Sequence, residues 1–208
     1  MNSLTLALAK GRTAEQAIKL LAKADIYFPS FTPKSRKLIF YDDSLEIKMV
    51  YVKAVDVPTY VETGAADLGI VGKDNIQESG SNIYDLMDLK FGSCKFVVAG
   101  VNKTVYTDTK KLTVATKYPQ IAMEHFRKQG KQIETIKLNG SVELAPLIGM
   151  ADVIVDIMET GTTLKENGLE VFETLDHIST RLIVNKASFA TKSTRVHNLL
   201  SQIQNVLG

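Results

Sequence analysis

The most constraining feature of this chain is its repeated switching between two hydrophobic periods, because a period of two builds strands and one near 3.6 builds helices. Leu4, Leu6 and Leu8 alternate with small residues, Lys10-Gly11-Arg12-Thr13 interrupts, and Ala17, Ile18, Leu20, Leu21 and Ala24 recur at helical spacing. This predicts strand, loop and helix, with Thr13 as N-cap because Gln16 stands at the capping-box distance. Leu38–Tyr41 and Ile47–Val52 read as a hairpin turning around Asp42-Asp43-Ser44. A short helix starts near Asp56, a candidate N-cap, with Pro58 in its first turn and Gly64 at its end. Strands are predicted over 66–72, 95–101, 112–116, 133–138 and 182–184, and a helix over 118–129. The polar run Asn102–Lys111 reads as a turn or exposed loop, and Val196, Leu199, Leu200 and Ile203 mark one face of a last helix. Alternation of this kind implies an α/β architecture with mostly parallel pairing, and the chain can return to its first domain at the end.

One echo runs through the pattern. Gly64-Ala65-Ala66-Asp67-Leu68-Gly69-Ile70-Val71 and Gly149-Met150-Ala151-Asp152-Val153-Ile154-Val155 place a helix end, an Asp and an apolar strand in the same order. Two similar half-domains produce this, and so does convergence on a common helix–Asp–strand junction.

Composition excludes several classes. With 208 residues, 45% of them hydrophobic and 23% charged, the chain is not disordered. A formal charge of +2 is too small to attract nucleic acid through the whole-molecule field, so any anion site is local. The single Cys94 rules out an intramolecular disulfide and a cysteine-based zinc site, which fits a reducing compartment. No window approaches the ~18 apolar residues of a membrane span. The start, Met1 to Arg12, reads as a strand rather than a signal peptide, which argues against secretion.

The densest chemistry lies in Asp152–Leu164. A buried strand delivers acidic residues, with Asp156 and Glu159 the candidates, and then Thr160, Gly161, Thr162 and Thr163 open a helix. Glycine permits close approach and the hydroxyls stand beside free N–H groups, which suits a phosphate monoester. The carboxylates repel phosphate but suit the vicinal hydroxyls of an attached ribose. The loop has neither the Walker spacing nor the dinucleotide glycine pattern, and a plain helix N-cap is the alternative. Lys10–Thr13 aims two cations and backbone N–H groups at one point, a second anion-binding geometry. Lys34-Ser35-Arg36-Lys37 is either part of such a site or a solvated loop, and Lys10 and Lys53 are either ligand contacts or surface cations. Glu143 either caps a helix or touches ligand. Cys94 reads as a packed small apolar residue. His125, His177 and His197 sit at no metal-ligand spacing and read as surface or capping groups.

Leu8-Ala9-Lys10-Gly11-Arg12, Ser35–Phe40, Asp56–Glu62, Gly64–Gly69, Gly72-Lys73-Asp74, Ala115–Pro119, Lys137–Pro146 and Thr160–Gly168 together resemble the short form of the ATP phosphoribosyltransferase family, over nearly the whole chain. The resemblance implies two α/β lobes like a type II periplasmic binding protein, with the active site in the interlobe cleft. Lobe I then comprises 1–90 plus 180–208, and lobe II comprises 91–179 with the phosphoribosyl loop. It implies that N1 of ATP attacks C1 of phosphoribosyl pyrophosphate and releases pyrophosphate, the first step of histidine biosynthesis. By matching motif, Thr160, Gly161, Thr162 and Thr163 hold the 5-phosphate and Asp156 with Glu159 meets the ribose. Arg12 and Arg36 act on the pyrophosphate, and Lys10, Gly11, Lys53 and Glu143 serve the polyphosphate or ATP. The family more often has Ser or Asp where Glu159 stands. Magnesium arrives with the substrate and has no direct protein ligand. The resemblance also implies a cytoplasmic enzyme that is a homodimer alone and a hetero-octamer with a regulatory subunit resembling histidyl-tRNA synthetase. Histidine sensing belongs to that subunit, and neither nucleic acid nor a membrane is a partner. The competing readings are a noncatalytic two-lobed binder of a small anion and a phosphoribosyltransferase for another base.

Overall fold

A computed structural model describes every residue except Met1, Asn2, Leu45, Thr109 and Lys110, and the side chain of Asp108. The parts of the expected N-terminal strand reading and of the Asn102–Lys111 loop that fall on those positions lie outside the described residues. In chain order the elements begin with β1 (Leu4–Ala9), α1 (Arg12–Lys23), β2 (Ile39–Tyr41), β3 (Ile47–Val52), α2 (Val57–Glu62), β4 (Leu68–Gly72), α3 (Lys73–Ser79) and β5 (Tyr84–Asp88). There follow β6 (Cys94–Gly100), α4 (Lys103–Asp108), β7 (Lys111–Thr116), α5 (Pro119–Lys128), β8 (Gln132–Lys137), α6 (Leu144–Leu147), β9 (Val153–Met158) and α7 (Thr162–Glu166). The chain closes with β10 (Glu170–Ile178), β11 (Thr180–Val184), α8 (Lys186–Thr191) and α9 (Ser193–Leu207).

Two compact units result, Met1–Gly92 with Ser179–Gly208, and Ser93–Ile178. The first contains the sheet β2-β3-β1-β4-β11-β5, in which β3, β1 and β4 are parallel and β11 is antiparallel to both β4 and β5. The hairpin predicted around Asp42-Asp43-Ser44 is present, with Phe40 opposite Met49. One face of this sheet buries Leu6, Leu8, Met49 and Ile70 against Leu21 of α1 and Val196, Leu199 and Ile203 of α9. Each fully buried side chain of this size contributes about 1.5–3 kcal/mol. The other face buries Ala7, Ala9 and Ile183 against Val57 and Val61 of α2. Gly69 is required there, since a Cβ would stand 2.8 Å from both Val57 and Val61 side chains.

The second unit contains the sheet β10-β6-β9-β7-β8. Here β8, β7 and β9 are parallel, and β6 is antiparallel to β9 and β10. Phe96, Val114, Tyr118 and Phe126 pack on one face and Val97, Ala115, Ile154 and Leu164 on the other.

The echo seen in the sequence has a structural counterpart. Asp67 donates its N–H to the Thr5 carbonyl (2.8 Å) and accepts the Thr5 N–H on Oδ2 (2.8 Å). Asp152 does the same with Thr113, at 2.9 and 2.7 Å. Each Asp thus locks the start of one parallel strand onto its neighbour, β4 onto β1 and β9 onto β7. The surroundings differ: Asp67 is buried and also accepts from Ser188 (2.6 Å) and Lys192 (2.8 Å). Burial alone would raise its pKa, but these bonds and the Thr5 N–H hold it below the usual carboxylate value.

Pairing is not mostly parallel, since among the described residues four strand pairs are parallel and five antiparallel, and three local expectations are corrected. Thr13 is not the N-cap of α1; that place is taken by Gly11 at φ 99°, and no side chain caps the helix. As expected, Asp56 stands at the N-cap of α2 with Pro58 in the first turn, although its side chain makes no capping bond. Lys103–Asp108 is the helix α4 rather than a turn or loop. Its buried Tyr106 stacks on Phe172 (5.5 Å), and the Tyr106 hydroxyl donates to Glu173 of β10. His125 is not a surface or capping group: half-buried on α5, its Nε2 lies 3.3 Å from Glu173, which also accepts from Gln129 at 2.8 Å. His177 is exposed, as is His197, whose Nδ1 lies 2.8 Å from the Ser193 carbonyl.

Candidate active site

Parallel strands in both units end at one sheet edge, and in open α/β sheets ligands bind beyond the carboxyl ends of such strands. The sequence-predicted residues lie at these two edges.

In the second unit, β9 runs apolar and buried through Val155 and then emerges at Asp156, which is half-buried and whose Oδ1 accepts the Ile157 N–H at 2.8 Å. Glu159 and Thr160 follow, both exposed. Gly161 is the N-cap of α7, in the left-handed conformation at φ 82°, ψ 1°, where an L side chain costs roughly 1–2 kcal/mol. A Cβ there would also stand 3.0 Å from the Met158 sulfur. Thr160 and Thr162 place their hydroxyl oxygens 3.0 Å apart, and Thr162 and Thr163 are exposed. Buried Leu164 pins the loop to the sheet below. The result is a short turn with hydroxyls outward, backbone fixed by packing, and carboxylates immediately upstream. Glu143 lies apart from this loop, on the connection from β8 at the N-cap of α6, where its side chain makes no capping bond.

The end of the neighbouring strand β7 is held with equal firmness. Thr116, fully buried, donates its hydroxyl to the Val155 carbonyl (2.6 Å) and accepts the Tyr118 N–H (2.8 Å). Lys117 stands between these anchors, a cation at the sheet edge that sequence reasoning did not single out. The signal that could have found it is its place immediately after a strand in the middle of a parallel trio.

In the first unit, register assembles the cations. Ala9 pairs with Val52, so Lys10 and Lys53 leave adjacent strands at the same level. Lys10 donates its N–H to the Val52 carbonyl at 2.8 Å, and its Nζ lies 5.3 Å from the Tyr51 ring centroid. Arg12 opens α1 after Gly11, and both are exposed. The Tyr51 N–H donates to the Leu38 carbonyl (2.8 Å), so exposed Arg36, two residues before Leu38, approaches the same edge from β2. Lys10, Gly11, Arg12, Arg36 and Lys53 therefore belong to one edge of one sheet, although 43 positions separate the first from the last. Lys73 and Asp74 leave the third parallel strand, β4, and the Asp74 carboxylate folds so closely over Gly72 that a Cβ there would lie 2.1 Å from Oδ1. Cys94 is half-buried and packs with Phe96 and its core neighbours.

The family model described as HisG, ATP phosphoribosyltransferase, matches residues 53–205. The chain is 51% identical over 208 residues to an ATP phosphoribosyltransferase of Oceanobacillus iheyensis, with both chains covered in full. It is 50% identical over 201 residues to one of Clostridioides difficile, covering 96% of each. Among solved structures it is similar to the ATP phosphoribosyl transferase (HisG:HisZ) complex from Thermotoga maritima, with TM-score 0.84, 32% identity and 98% of each chain covered. It is also similar to the periplasmic aliphatic sulphonate binding protein SsuA from Escherichia coli, with TM-score 0.59, 15% identity, and all of this chain and 73% of that one covered. The last likeness concerns the fold alone, and it agrees with the α/β architecture expected of a periplasmic-binding-protein type.

Proposed function

The chain belongs to the ATP phosphoribosyltransferase family, and from that premise we propose that it joins N1 of ATP to C1 of phosphoribosyl pyrophosphate, releasing pyrophosphate, as the first step of histidine biosynthesis. The observation that carries the site assignment is the fixed Thr160–Thr163 turn directly downstream of Asp156 at a carboxyl sheet edge. Its hydroxyls and N–H groups, with Gly161 allowing close approach, hold the 5-phosphate, and Asp156 with Glu159 accepts hydrogen bonds from the ribose hydroxyls.

The bond from C1 to the pyrophosphate oxygen breaks as the ring nitrogen's lone pair forms the new C1–N1 bond. The sugar becomes oxocarbenium-like and the departing group gathers negative charge, so cations aimed at pyrophosphate oxygens lower the barrier most. Arg36 and Arg12 supply that charge through bidentate guanidinium groups, and Lys10, Gly11 and Lys53 hold polyphosphate in ground and transition states alike. Glu143 is assigned to the ATP side. N1 attacks with a free lone pair, so neither a covalent nucleophile nor a base that activates it is needed, and Cys94 takes no part.

Magnesium enters as the counter-ion of the substrate's pyrophosphate. The likeness to the Thermotoga maritima HisG:HisZ complex supports a regulatory subunit as partner; the family resemblance alone suggests that this subunit resembles histidyl-tRNA synthetase, that the assembly is a hetero-octamer, and that this chain alone is a homodimer. Among the described residues no helix is long and apolar enough to cross a membrane, in keeping with a cytoplasmic role.

The direct experiment mixes purified chain with ATP, phosphoribosyl pyrophosphate, magnesium and pyrophosphatase, and follows the absorbance of phosphoribosyl-ATP with and without the regulatory subunit. Adduct formation is the expected result. Silence in both mixtures from folded protein would overturn the proposal in favour of binding without catalysis or of another base.

A further inference from the structure

Strand β9 has two neighbours at the edge where the proposed ribose site lies. On one side, Thr116 of β7 is level with Val155, so Lys117 stands beside Asp156. On the other, Lys95 of β6 is level with Met158, two residues further along. A ribose whose 5-phosphate rests on Thr160–Thr163 and whose hydroxyls meet Asp156 has its C1 substituent within reach of the adjacent strands, each about 4.8 Å away. Both neighbours are level with Asp156, but β6 presents the buried, apolar Val97 there and β7 the half-buried cation Lys117.

Lys117 is also unusually well supported for a lysine at a turn. Buried Thr116 on one side ties β7 to the Val155 carbonyl and captures the Tyr118 N–H. On the other side Tyr118, 2% exposed, wedges its ring edge-on against Phe96 at 5.0 Å. Half-buried Lys117 has its Nζ 5.4 Å from the Tyr118 ring centroid, so its ammonium stands over an aromatic ring. A lysine held at both flanks loses less freedom on meeting an anion than one on a mobile loop.

We propose that Lys117 binds the pyrophosphate of phosphoribosyl pyrophosphate from the ribose side of the sheet edge, as a specificity residue that distinguishes the activated sugar from its hydrolysed form. The inference rests on the transferase reading above.

The test titrates the full chain by calorimetry with magnesium phosphoribosyl pyrophosphate and, separately, with ribose 5-phosphate, for wild type, Lys117→Met, Lys117→Arg and Lys95→Met, alongside the adduct assay. Lys117→Met is expected to weaken phosphoribosyl pyrophosphate at least tenfold, to leave ribose 5-phosphate within about twofold, and to raise KM for phosphoribosyl pyrophosphate but not for ATP. Lys117→Arg recovers most of the affinity, and equal melting temperatures exclude misfolding. Equal losses for both ligands would show that Lys117 acts through Asp156 or the phosphate loop, and so overturn the proposal. So would the selective loss appearing in Lys95→Met and not in Lys117→Met. A wild type that forms adduct while Lys117→Met binds normally sinks this inference alone, whereas a wild type that neither binds nor reacts sinks the transferase reading with it.

Discussion

At the scale of single residues, conformation rather than identity decides the phosphate loop. Gly161 occupies a left-handed conformation with the Met158 sulfur 3.0 Å from where a Cβ would stand. Gly161→Val is expected to weaken ribose 5-phosphate binding at least tenfold in calorimetry and to lower the melting temperature by several degrees, as roughly 1–2 kcal/mol of left-handed strain does in a small unit. Arg36→Ala is expected to lower kcat for adduct formation by about 10²-fold or more, the range for removing a donor that serves developing charge; a raised KM at unchanged kcat would assign it to ground-state binding instead. The loop residues were legible because Thr-Gly-Thr-Thr after an acidic strand is a local pattern. Lys117 was not, since its place beside Asp156 depends on pairing between strands 39 positions apart. Nor was the loss of the Thr13 cap: Gly11, at φ 99°, turns the chain two residues earlier, so the helix begins before the hydroxyl can cap it.

Among elements, the two aspartates that lock parallel strands offer a controlled comparison. Asp67 serves Thr5, Ser188 and Lys192, and its side chain is 7% exposed, whereas Asp152 is half-buried and bonds Thr113. Asp67→Asn is expected to cost about 2–3 kcal/mol, as charged hydrogen bonds do, and Asp152→Asn about 1 kcal/mol, both read from urea denaturation. The folded state holds the Asp67 carboxyl below its ordinary value. Its stabilisation is therefore complete above about pH 4 and disappears as pH falls through the lowered folded value, a dependence that Asp67→Asn removes. The helix α4 was hidden in the sequence because its run is polar apart from Val105 and Tyr106. What makes it helical is tertiary: Tyr106 stacks on Phe172 and reaches Glu173 on a strand more than 60 residues away. Tyr106→Phe keeps the ring but not that bond, and is expected to speed amide exchange across 103–107 several-fold.

On the scale of the whole molecule, β11 is the piece that the two-period pattern could not place. The sequence shows that Leu182–Val184 is a strand, and structure puts it between β4 and β5, antiparallel to both, inside a sheet whose other strands precede residue 89. A fragment spanning 93–178 owns both faces of its sheet and is expected to melt cooperatively by circular dichroism. One spanning 1–92 lacks β11 and α9 and is expected not to. The same insertion orders events during synthesis. The unit that starts first on the ribosome is completed last, because β4 and β5 wait for a strand made only after the whole of 93–178 has emerged. Until then their facing edges and the apolar surface destined for α9 stand open, the kind of unpaired edge that recruits other chains. Newly made protein thus passes through a stage with one finished unit and one unfinished one, and that interval, rather than the stability of either finished sheet, is where a chaperone would protect it.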